Sequence, residues 1–192
     1  LFPYTTLFRS RGGLSIVTQH FAQSDEGKSV IQPWDANSLY ATAMTFKLPC
    51  CDFEWLPEEE WDRVFPEDLS AWPDPDGEKA YILEVDLEYP DSIKRETATY
   101  PLAPEKEAIR EEDLSDFMRD QYMRSSPSGK IKTEYKLMAT QRDREHYPVY
   151  FRNLHFYLKM GMRLKKIHSV VKCTQKAWLA DYVYDNIEER KK

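Results

Sequence analysis

Tyr81-Ile82-Leu83-Glu84-Val85-Asp86-Leu87-Glu88-Tyr89 is the stretch that decides the fold class. Tyr81, Leu83, Val85, Leu87 and Tyr89 fall at every second position, with Glu84, Asp86 and Glu88 between them. A period of two puts the sets on opposite faces of a pleated strand, one apolar and one mostly acidic. Alternating acids read first as a solvated strand face rather than as a metal site.

Working outward, Pro73-Asp74-Pro75-Asp76-Gly77 is a turn cluster that leads into this strand. Downstream, a helix is expected over 111–123, and Ser125-Ser126-Pro127-Ser128-Gly129 reads as a flexible break. Tyr150, Leu154, Tyr157 and Leu158 recur at helical spacing, with Gly161 placed as a helix stop. Residues 162–173 then read as a strand whose alternation slips at Lys165-Lys166, as at a bulge. Trp178, Leu179, Tyr182, Val183 and Ile187 mark a last amphipathic helix. Upstream, Ser29-Val30-Ile31 reads as a short strand that Pro33 confines to an edge, followed by a helix over 38–46 that Leu48-Pro49 stops.

Forty-one per cent of the 192 residues are hydrophobic, enough for one sizeable core. No apolar run approaches the roughly 18 residues of a membrane span, so no membrane partner is expected. Cys50, Cys51 and Cys173 form no disulfide framework and read as reduced thiols of an intracellular protein. His20, His146, His155 and His168 show no zinc spacing with them. The net charge of −6 hides a split: residues 51–128 hold 8 Lys and Arg against 23 Asp and Glu, whereas residues 129–192 hold 15 against 7. A nucleic-acid backbone would be held by the basic end alone. Residues 1–10, LFPYTTLFRS, match one reading frame of a sequencing-library adapter and are set aside as an artefact.

One motif points to chemistry. Asp35-Ala36-Asn37-Ser38-Leu39-Tyr40 resembles the DxxSLYP signature of family B DNA polymerases, with Ala41 where proline is usual. Arg11-Gly12-Gly13 is similar to the YxGG element of protein-primed members, with Ser10 at the tyrosine position. The segments 83–90, 100–105, 150–154 and 166–168 resemble, in order, the same enzymes of large viruses and self-synthesising transposons. The resemblance covers nearly all of residues 11–192 and implies an α+β fold, part of a polymerase palm with an antiparallel sheet backed by helices.

It also implies roles. Asp35 would be a catalytic aspartate holding two Mg2+ ions, with the carbonyl of Ala36 as a further ligand. Backbone N–H groups of Ser38, Leu39 and Tyr40 would face the triphosphate of a dNTP. The Tyr40 ring would lie under the sugar and exclude a 2′-hydroxyl. Arg190 and Lys191 would sit at the start of the fingers and reach the nucleotide. Arg11, Gly12, Gly13, Arg152, Lys165 and Lys166 are the implied contacts to the DNA template and primer; a solvated surface is the plain reading of the last three. Asp35, Asn37 or Ser38 could equally be a helix cap.

By the same resemblance, residues 11–50 are a palm segment and residues 129–192 its continuation towards the fingers. Residues 51–128 match the place of an acidic inserted subdomain that holds a priming protein, or else are a charged decoration. The fingers lysine string and the second catalytic aspartate of the family do not occur, so the chain is expected to be an inactive piece of a polymerase. A non-catalytic DNA-binding or protein-interaction remnant of a mobile element is the alternative.

Overall fold

A computed structural model describes residues 13, 14, 16–18, 21–125 and 134–191. The adapter-like start, Arg11, Gly12 and most of the break expected at 125–129 lie outside them.

The alternating stretch is strand β2, Lys79–Glu88. It is flanked by β5, Arg144–Tyr150, and by β6, Arg163–Lys176. Strand β1, Leu48–Trp55, pairs with the far edge of β6. The resulting antiparallel sheet has the order β1-β6-β2-β5. Strands β3, Glu105–Ile109, and β4, Glu134–Met138, make a separate antiparallel ribbon. Six α-helices accompany them among the described residues: α1 Leu39–Met44, α2 Trp61–Val64, α3 Asp91–Lys94, α4 Asp116–Ser125, α5 Phe151–Lys159 and α6 Ala180–Glu189. The fold is α+β. The acidic segment supplies β1 and β2 and the basic segment β5 and β6, so both charge regions meet in one sheet.

The apolar face of β2 lies in the core as its spacing requires. Leu83, Val85 and Leu87 are fully buried and pack with Phe151 and Leu154 of α5. Each such side chain contributes about 1.5–3 kcal/mol through burial. Tyr81 meets Phe65 edge-on at 5.1 Å, and Phe65 meets Trp72 at 5.0 Å. These aromatics close the end of the core nearest the acidic loops.

Helix α5 ends where the glycine demands it. Gly161 has φ +100, and the N–H of Met162 returns to the carbonyl of Tyr157 at 3.0 Å, a left-handed stop that closes the last turn. A Cβ on Gly161 would stand 2.6 Å from Ile93 Cγ2, so close packing against α3 requires glycine as well.

The alternation slip in β6 is a bulge. Asp86 pairs with Lys166 and Leu87 with Leu164, leaving Lys165 as the extra residue. A second bulge, at His168, falls between the Glu84–Ser169 and Val85–Ile167 pairs. Strand β5 bulges too, with Glu145 and His146 lying between the Val85–Tyr147 and Leu87–Arg144 pairs.

Three expectations fail in whole or in part. Residues 29–36 form no strand; Val30 and Ile31 stand exposed, and without a neighbouring edge their apolar character is not enough to hold a strand. Leu48-Pro49 does not merely stop a helix but opens β1, where Pro49 is tolerated because the strand is an edge. The helix expected over 111–123 begins later: Glu111–Asp113 is a 3-10 turn, and α4 starts at Asp116.

Candidate functional site

The Asp35–Tyr40 motif lies on a coil that turns into α1, and residues 31–40 are all exposed. Ser38 occupies the N-cap position at φ 55 and makes no side-chain cap hydrogen bond. The left-handed turn at Ser38, rather than a cap, redirects the chain into the helix. Leu39 and Tyr40 follow in the first turn, with Tyr40 83% exposed. Its phenol approaches the other end of the resemblance: a Cβ built on Gly13 would stand 3.8 Å from Tyr40 Oη. Helix α1 also lies against α6, whose C-cap is Arg190, with Lys191 following. Gly13 therefore neighbours Tyr40, and the helix that carries Tyr40 touches α6.

Of the other predicted DNA contacts, Arg152 and Lys165 are engaged by acidic side chains. Arg152 Nη2 donates to Asp76 Oδ1 at 2.6 Å and to the Pro75 carbonyl at 2.8 Å. Lys165 Nζ lies 3.7 Å from Glu88 Oε2, as Arg163 Nη1 does from Glu88 Oε1. Lys166 is exposed. Acidic side chains from residues 51–128 thus offset part of the basic end. Exposed pairs of this kind hold only about 0–1 kcal/mol each, so phosphates could compete for these cations.

Among the described residues, no group of three or more His, Cys, Asp or Glu is arranged to hold a metal ion. Magnesium takes one or two protein carboxylates and completes its shell with water and phosphate.

Residue-type reasoning missed one cluster, on the open face of the sheet. His146 donates its backbone N–H to Asp86 Oδ1 at 2.8 Å, and its Nδ1 lies 2.9 Å from Glu84 Oε1. His168 Nε2 stands 2.7 Å from Asp86 Oδ1, close enough for an ion pair but off the hydrogen-bond direction. Ser169 Oγ donates to Glu84 Oε2 at 3.2 Å. The bulges on β5 and β6 flank Asp86 on both sides and turn a histidine from each neighbouring strand onto it. Burial raises the Asp86 pKa, but the His146 N–H and the His168 ring outweigh it and hold the carboxyl below its usual range. The acidic alternation of β2 was the sequence signal; nothing in it named His146.

No family model, curated protein or solved structure matches the chain. No helix among the described residues is long and apolar enough to cross a membrane.

Proposed function

We propose that the chain is part of a family B DNA polymerase of the protein-primed kind, with Asp35 as a catalytic carboxylate of its palm. One observation carries the reading beyond the motif itself. Gly13 and Tyr40 come from separate parts of the sequence yet lie together, and α1, which follows Asp35, touches the distant helix α6. A nucleotide site built on Asp35 needs such convergence.

In this reading, the Asp35 carboxylate and the Ala36 carbonyl would hold magnesium. The bound ions would supply Lewis-acid stabilisation of the attacking and leaving oxygens. Tyr40, exposed at the start of α1, stands free to meet a sugar ring and to reject a 2′-hydroxyl by contact. Arg190 and Lys191 would add positive charge near the triphosphate. The second carboxylate and the fingers lysine would come from other parts of the polymerase. By itself this chain would extend no primer.

Primer extension by the full reading frame that encloses the chain tests the proposal. Magnesium-dependent synthesis should be lost in Asp35→Asn while the variant keeps its fold. An Asp35→Asn enzyme that extends as well as the parent would overturn the assignment; magnesium-dependent synthesis by residues 1–192 alone would refute the inactivity of this piece.

A further inference from the structure

The β1 edge carries two thiols that the polymerase reading does not use. Adjacent residues of a regular strand point to opposite faces. Cys50 and Cys51 do not, because β1 slips register against β6 between Pro49 and Cys51 and again between Cys51 and Glu54. Asp52, next in the chain, takes φ 57. The irregular backbone swings the two sulfurs together, with Cys50 Sγ 3.4 Å from Cys51 Sγ. Cys50 Sγ also lies 3.5 Å from the Thr174 carbonyl, and Cys51 Sγ 3.4 Å from Asp52 Oδ2. Both thiols are half-buried, whereas Cys173 is buried under the sheet.

We propose that Cys50 and Cys51 are a redox modification site that reduces a low-molecular-weight disulfide and closes into a vicinal disulfide. Cys50 gives its proton to solvent, and its thiolate attacks one sulfur of the oxidant, forming a mixed disulfide and releasing one thiolate. Cys51 then gives up its proton to solvent, and its thiolate attacks the Cys50 sulfur. The Cys50–Cys51 bond forms as the second thiolate leaves. Two protein thiols are oxidised and one disulfide becomes two thiols.

The surroundings favour that order. Hydrogen bonds with Cys50 and with Asp52 push the Cys51 thiol up to about 11, which suits it to the second, intramolecular step rather than to the first. Cα atoms of adjacent residues are about 3.8 Å apart, less than the usual disulfide span of about 4.4–6.8 Å. The bridge is therefore strained and readily reversed, as a regulatory disulfide is. Closing it removes the S–H groups beside Thr174 and Asp52, so the oxidation state acts on the β1–β6 edge.

The whole chain, incubated with glutathione disulfide, quenched with N-ethylmaleimide in denaturant and weighed, tests the site. The expected product is lighter by two hydrogens and carries a single maleimide, on Cys173. Cys51→Ser should trap one glutathione on Cys50, and Cys173→Ala should leave the bridge intact. Glutathione held on Cys50 or Cys51 of the parent without a bridge, a disulfide-linked dimer, or three maleimides would each overturn the proposal. A titration of the glutathione ratio adds a readout tied to the fold. The folded chain should bridge at a lower oxidant ratio than the chain in urea, and equal midpoints would remove the role given to the strand geometry.

Discussion

His146 and His168 stack on the open sheet face with ring centroids 3.9 Å apart and planes at 25°. They come from strands that are not neighbours, and β2 lies between them. The contact exists because both outer strands bulge beside Asp86. His146 holds φ 49 there, a conformation that costs an ordinary residue about 1–2 kcal/mol. His146→Gly will therefore be more stable than His146→Ala by about 1 kcal/mol in urea unfolding, although both lose the ring. The reverse order would refute a strained bulge.

Asp86 should shape the acid limb of stability. Its folded pKa lies below the ordinary 3.8, so its contribution is present above that value and is lost as pH falls through the lower folded value. Asp86→Asn keeps an acceptor for the His146 N–H but removes the charge. The stability gap between parent and variant should be largest near neutral pH and should narrow as pH falls below the ordinary 3.8. A gap that does not change with pH would show that the carboxylate charge is not what stabilises the cluster.

Tyr150 should act at the alkaline end. Burial pushes its phenol up to about 12, and the hydroxyl donates to Oε1 of the fully buried Gln175. A raised folded pKa gives stability that is full below about pH 10, the ordinary tyrosine value, and lost towards about pH 12. Tyr150→Phe should lower stability at neutral pH by about 1–3 kcal/mol, since it strands a buried acceptor, and should flatten that alkaline loss. Burial also raises the Cys173 thiol, to about 11, so tyrosinate absorbance must be followed alongside unfolding to separate the two.

Gly161→Ala meets two obstacles, the positive φ and the 2.6 Å approach to Ile93 Cγ2. Together they should cost about 2–4 kcal/mol. Adding Ile93→Ala removes the clash but not the backbone strain. The double variant should therefore lose less than the sum of the single losses in chemical denaturation, and strict additivity would mean the contact does not matter.

Tyr40→Val tests the proposed sugar gate. Tyr40 is exposed, so the change should alter stability by no more than about 0.5 kcal/mol. In the enclosing polymerase it should admit ribonucleotides, read as incorporation of rNTPs against dNTPs. Unchanged sugar selection in a folded, active variant would sink the assignment.

Much of this molecule was determined locally, and those parts could be read from the sequence. The period of two over residues 81–89 gave β2 and its buried face, because a strand's side-chain geometry follows from the backbone alone. Helical spacing and Gly161 gave α5 and its end for the same reason. The slip at Lys165-Lys166 announced one bulge, and the Asp35–Tyr40 string carried the only chemistry that can be read without coordinates. Tertiary structure decided what depends on partners distant in sequence. Val30 and Ile31 look strand-like but find no edge to pair with, whereas Leu48–Trp55, interrupted by Pro49, becomes a strand because β6 offers one. The turning of His146 and His168 onto Asp86, and of Cys50 onto Cys51, required bulges set by register between strands up to 124 residues apart. No local pattern encodes a register, since it is fixed only when two strands settle their buried faces against the same core.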